Sequence, residues 1–133
     1  MKLFAAFIII MMTSVMQSNS NDNDAIIGIW WTEGKKAKVK IYKEGNQYEG
    51  KVVWLSKNRR NSEHPLLGKK LIHGFIHKDA KWIGGKVYDP ENGKTYDSIL
   101  KLNGDSLEVR GFIRMPMFGK SVFWQKVDTE GGK

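Results

Sequence analysis

The chain contains no cysteine. That excludes structural disulfides, thiolate metal sites and an anchor through a lipidated N-terminal cysteine, and it leaves packing alone to hold the fold together. Helical periodicity is missing outside the N-terminal segment, so helical bundles and alternating α/β architectures are excluded as well. There is no phosphate loop, no dinucleotide fingerprint and no Gly-x-Ser-x-Gly elbow. Acidic residues are in the minority, 14 against 22 lysines and arginines, for a net charge of +8. Such a balance draws a protein to anionic surfaces (polysaccharide, lipid head groups or nucleic acid) without choosing among them.

What is present is organised around residues 81–96. Asp89-Pro90-Glu91-Asn92-Gly93 reads as a turn. Pro90 fixes φ, Asp89 can accept a hydrogen bond from backbone two residues on, and Gly93 tolerates positive φ. Both flanks alternate apolar and polar residues. Closing Asp89 onto Lys94 sets Val87 opposite Tyr96 and puts Ile83, Gly85, Val87, Tyr96, Ser98, Leu100 and Leu102 on one face. Lys86, Tyr88, Thr95, Asp97 and Lys101, with Trp82 and Ile99, then share the other. One hairpin cannot bury that apolar face alone.

Further strands are read at 26–32, 36–43, 47–55, 70–77, 107–114 and 120–127, with hairpin signals at Glu44-Gly45-Asn46 and Asn103-Gly104-Asp105. Alternation within 47–55 aligns Tyr48, Gly50, Val52 and Trp54. The pattern predicts an all-β fold, a small up-and-down antiparallel β-barrel of about eight strands, because nearly every connection is a tight hairpin.

Residues 1–20 read as a secretory signal peptide. Lys2 supplies a positive end, an apolar run extends to Met12 and on to Met16, and Ser18-Asn19-Ser20 offers small residues for cleavage. The run is shorter than the roughly 20 residues of a spanning helix, so cleavage leaves no transmembrane segment. The expected organisation is an unstructured 21–25, a barrel domain over 26–128 and an unstructured tail over 129–133, with export to the periplasm or beyond the cell.

Gly84-Gly85-Lys86-Val87-Tyr88-Asp89-Pro90-Glu91-Asn92-Gly93-Lys94-Thr95-Tyr96 closely resembles the hallmark of the bacterial family called domain of unknown function 2147. Ile27-Gly28-Ile29-Trp30, the 37–54 hairpin, Pro65-Leu66-Leu67-Gly68 and Val109-Arg110-Gly111-Phe112-Ile113 carry the same resemblance, which spans essentially all of 26–127. It implies a small exported protein with a lipocalin-like barrel and no established activity. Gly28-Ile29-Trp30 is similar to the Gly-x-Trp of a lipocalin first strand, which makes Trp30 the candidate plug of the closed end. Lipocalins also lay an Arg over that Trp from the last strand. Here the last strand offers Lys126, which can approach the ring but cannot stack a planar guanidinium on it.

No catalytic constellation emerges. His73 and His77 are four apart, but on a strand that spacing separates them by roughly 13 Å, too far for one metal ion. His64 has no acidic pair near it, so no metal or other cofactor is expected. Asp89, Glu91 and Asp97 lie along one hairpin rather than across a cleft, as a glycosidase would require. A non-enzymatic protein is the expectation.

Aromatic and aliphatic residues are the more informative feature. Tyr48, Val52, Trp54, Phe75, Val87, Tyr96, Leu100, Val109, Ile113 and Trp124 fall at or near the inward side of their strands. An eight-stranded barrel has just enough interior to be filled by them or to hold one small ligand. Met115-Pro116-Met117-Phe118 is an apolar loop that places Met115, Met117 and Phe118 as candidates for the barrel mouth. The leading reading is a barrel that binds a small apolar or amphipathic ligand in its open end. The alternative is a solid-cored interaction module whose Lys36, Lys38, Lys40, Arg59 and Arg60 meet an anionic envelope component or a protein partner. Export argues against a nucleic-acid partner.

Overall fold

The computed structural model describes residues 22–57 and 66–128. Eight antiparallel strands follow one another in chain order and close into a barrel. They are β1 (Gly28–Trp31), β2 (Ala37–Glu44), β3 (Gln47–Leu55), β4 (Lys70–Lys78), β5 (Lys81–Asp89), β6 (Lys94–Asn103), β7 (Ser106–Phe112) and β8 (Gly119–Lys126). Trp30 opposite Lys126 and Trp31 opposite Gln125 join β8 back to β1, so the sheet has no open edge. The all-β, up-and-down barrel expected from the alternation is the architecture observed. The expected signal peptide (1–20) and tail (129–133) lie outside the described residues.

The central hairpin has the register its turn demands. Asp89 faces Lys94 and Val87 faces Tyr96. The Glu91 N–H donates to Asp89 Oδ1 at 2.8 Å, and Gly93 takes a φ of 72°.

Strict alternation fails at four register shifts among the described strands. One lies in β4 beside Leu71, which is buried together with its neighbour Ile72, and the other three also move side chains across the sheet. In β3 the register shifts as Val39 pairs with Val52 but Lys38 pairs with Trp54. Val53 is the extra residue, so Trp54 turns to the outer face and Leu55 turns in. In β5 the shift falls between Trp82 and Gly85. Trp82 therefore points inward and is buried, while Ile83, expected inside, is only half-buried. In β4, Gly74 takes a φ of 78° between buried Ile72 and buried Phe75. Its N–H donates to Glu49 Oε2 at 3.0 Å. Glu49 is nearly fully buried, and His73 Nδ1 lies 2.8 Å from the same oxygen while Lys70 Nζ stands 3.8 Å from the other. The carboxylate clamps the bulge from outside. Burial pulls the Lys70 ammonium down, but the negative charges of Glu49 and Glu44 and the neighbouring Tyr42 outweigh it and hold the group above its ordinary value.

The core fills one half of the barrel. Ile26, Trp30, Ile41, Tyr48, Phe75, Leu100 and Leu107 are all essentially inaccessible. The segment before β1 caps this half, against the expectation that 21–25 is unstructured. Asp22–Asp24 form a turn of 3-10 helix. The Trp82 indole N–H donates to the Asn23 carbonyl at 2.9 Å, Trp30 Nε1 to the Ile26 carbonyl at 2.9 Å, and the Tyr48 hydroxyl to Asp24 Oδ1 at 2.6 Å. Three aromatic side chains need a partner at their polar tips once buried, and backbone and carboxylate of this segment supply it.

Candidate functional site

At the other end the interior is open. In an up-and-down barrel the connections β1–β2, β3–β4, β5–β6 and β7–β8 all lie at one end, and here they surround a cleft of about 800 Å³. Its wall below the rim is apolar: Val52, Leu55, Val87, Val109, Val122 and Trp124. The rim is polar. Lys36 Nζ reaches Glu91 Oε1 at 3.4 Å, linking two mouth connections across the barrel end. The Asn92 amide donates to the Tyr96 hydroxyl at 2.8 Å, which leaves the Tyr96 proton free to donate. The Trp124 side chain is 4 % exposed and lines the cleft, and its indole N–H makes no hydrogen bond among the described residues. Of the charged residues bordering the cleft, Glu33, Asp89 and Glu91 oppose Lys36 and Lys120. The opening is close to charge balance.

This geometry sorts the residues singled out from the sequence. Val52, Val87, Tyr96, Val109, Ile113 and Trp124 line the cleft together, and so does Phe118. Tyr48, Phe75 and Leu100 do not. They belong to the closed half, where the Phe75 ring lies across Gly85 and leaves no space for a ligand. Trp54 is corrected outright, since the bulge at Val53 turns it outward. There it meets Trp31 edge-to-face with ring centroids 5.4 Å apart, and Lys38 Nζ sits over both rings. Met115 and Met117 stand at the mouth but are exposed rather than lining it. Trp30 is fully buried at the closed end, with Lys126 Nζ over its ring at 5.7 Å.

Several lining residues escaped sequence reading. Leu55 was hidden by the bulge, and Ala37, Val122 and Gly111 are small or unremarkable members of regular alternations. A two-residue step back from Trp124 finds Val122, so that signal existed. Lys36 was read only as an outer lysine, although it borders the cleft and pairs with Glu91. Of the other basic candidates, Lys38 is engaged by the outer tryptophans and Lys40 is exposed, while Arg59 and Arg60 lie outside the described residues. Among the described histidines, His73 serves Glu49 and His77 packs edge-on against Trp82.

Comparison with known proteins bears on the same architecture. A family model described as an uncharacterized protein conserved in bacteria (DUF2147) matches residues 28–126. A solved structure, protein HP1028 from Helicobacter pylori, is described as belonging to the lipocalin family. It matches with a TM-score of 0.61 and 20% identity, over 79% of this chain and 84% of that one. At that identity the likeness speaks for the fold alone. No curated protein sequence matches.

Proposed function

The chain belongs to the bacterial family DUF2147 and folds as a lipocalin-like barrel, and we propose that it binds one small apolar or amphipathic molecule in the open end of that barrel. The observation that carries the reading is the cleft itself, about 800 Å³ with an apolar wall and a polar rim. Pockets of some 300–1,000 Å³ built this way bury most of a small ligand while a few polar groups fix its orientation. An apolar body would displace water from Val52, Val87, Val109 and Val122. A single acceptor on the ligand would meet the Trp124 N–H or the Tyr96 hydroxyl. With no charged side chain on the wall below the rim, the buried part of the ligand is neutral, since an unpaired charge there would be costly. No step of this reading is chemical, and the protein is proposed to be a carrier or sensor rather than an enzyme.

Export completes the proposal: residues 1–20 direct the chain out of the cytoplasm and are removed. Intact-mass measurement of protein from its own host should then find a chain beginning at Asn21. A chain still carrying Met1 would contradict it.

The cleft is tested by filling it. Val109→Trp on β7 would occupy the space beside Trp124. N-phenyl-1-naphthylamine, a neutral apolar fluorophore, should brighten on wild-type protein and saturate at one equivalent. On Val109→Trp the signal should fall at least about tenfold, a loss comparable to the burial of a few methylene groups. Unchanged far-ultraviolet circular dichroism would show that the barrel persists. Equal brightening on the two proteins would place the probe elsewhere and sink the reading.

A further inference from the structure

The β7–β8 connection presents apolar side chains to solvent in a way the cleft does not explain. Ile113, Met115, Met117 and Phe118 are 63, 51, 70 and 69 % exposed. A loop of this composition ordinarily folds back over apolar surface, but this one is braced from beneath. Arg110 Nε donates to the Pro116 carbonyl at 2.9 Å, and Arg110 Nη1 to Ser121 Oγ at 3.1 Å. The Phe118 N–H closes a turn onto the Met115 carbonyl at 2.9 Å. Arg114, at the start of the loop, is held at a φ of 69°, a region that side chains other than glycine rarely adopt. Directly across the barrel end, Leu67 on the β3–β4 connection is also exposed, at 62 %.

Charge is polarised along the same axis. Among the described residues of the mouth connections (32–36, 56–57, 66–69, 89–94 and 113–120), seven are lysine or arginine and three are acidic. At the closed end (22–27, 43–47, 78–81, 103–106 and 126–128) four are basic and six acidic. Among these described connections, positive charge gathers at the end that carries the apolar tips.

We propose that the mouth of the barrel docks on an anionic phospholipid surface, with Met115, Met117 and Phe118 entering the head-group region and Arg114 and Lys120 pairing with lipid phosphates. Exposed apolar tips flanked by cations are what interfacial binding needs: a shallow apolar anchor together with attraction to anionic lipid. This difference in charge between the two ends favours approach by the mouth over the acidic closed end. Ile113 and Phe118 belong at once to this tip and to the cleft lining. Docking would therefore bring the cleft opening to the bilayer, where an apolar molecule could pass without crossing bulk water. The docking itself needs no ligand and stands independently of the binding reading.

Co-sedimentation with vesicles tests it, using phosphatidylcholine alone and phosphatidylcholine mixed with phosphatidylglycerol. Wild-type protein should partition onto the mixed vesicles and release at high salt. Met115→Asp/Met117→Asp should weaken that partitioning about tenfold or more. Neither residue lines the cleft, so the double variant should still take up N-phenyl-1-naphthylamine wherever wild type does, and this also reports that it is folded. Arg114→Glu should weaken vesicle binding about fivefold or more, while Lys101→Glu, an equal charge change on the outer wall of β6, should stay within about twofold. Three results would overturn the proposal: no partitioning of wild type onto mixed vesicles, wild-type partitioning by the double aspartate variant, or equal losses for Arg114→Glu and Lys101→Glu. The last would mean that overall charge, not the mouth, makes the contact.

Discussion

Gly85 controls how tightly the closed half of the barrel can pack. Its inward position lies under the Phe75 ring, and a methyl group there would overlap the ring itself. The ring is fully buried and cannot swing into solvent. Gly85→Ala should therefore cost about 1–3 kcal/mol through overpacking, read as a lower urea midpoint with an unchanged slope. Combining it with Phe75→Leu should cost less than the sum of the single changes, because the smaller side chain leaves room. Simple addition would show that the contact is not the cause. The same contact shows what a sequence hides at this scale. Alternation identified Phe75 and Gly85 as inward residues on neighbouring strands, but not that one lies upon the other, which removes Phe75 from the ligand space.

At the scale of the element, strands and turns were legible and bulges were not. Asp89-Pro90-Glu91-Asn92-Gly93 specifies its turn through local hydrogen bonds, so it can be read from five residues. A bulge depends on what the neighbouring strand presents. Nothing within 47–55 announces that Val53 is extra, and hence that Trp54 faces out and Leu55 in. Gly84, with a φ of 78°, marks the corresponding site on β5. The capping segment was illegible for a related reason. Asn23 and Asp24 are polar, and their value lies in partners some 20 to 60 residues away in sequence.

That segment carries a pH signature. Burial first, then the Asp24 carboxylate that accepts its proton, push the Tyr48 phenol far above its ordinary value. The Tyr48 bond, followed by Lys43, holds Asp24 below its own, against an opposing desolvation. A phenol with a raised native pKa retains its proton while the unfolded chain loses it. Stability should thus fall as pH rises from about 10, where an unperturbed tyrosine ionises. Asp24 acts at the other extreme, its contribution present above about pH 4 and lost on further acidification. Melting curves of wild type and Tyr48→Phe should converge above about pH 10, because the variant has no phenol there to ionise. Parallel curves across that range would contradict the assignment.

Three features of the whole molecule share one axis: a solid closed end, an apolar cleft at the open end, and mouth connections that are basic and apolar-tipped. The barrel and its family were readable because they rest on repeated alternation and a long hairpin motif. The depth at which core gives way to cleft was not, since it is set by how Trp30, Tyr48, Phe75 and Trp82 stack in three dimensions. The five tryptophans happen to report on that division. Trp124 lines the cleft, Trp30 and Trp82 occupy the closed end, and Trp31 and Trp54 stack on the outer wall. The most direct test of the binding account follows the five indole N–H resonances in a proton–nitrogen correlation spectrum while N-phenyl-1-naphthylamine is added. A ligand in the cleft should give a saturable shift of the Trp124 resonance, whose N–H has no partner among the described residues, with the Trp30, Trp82, Trp31 and Trp54 signals nearly still. Movement of the Trp31 and Trp54 signals with Trp124 unmoved, or no movement at any of the five, would contradict it.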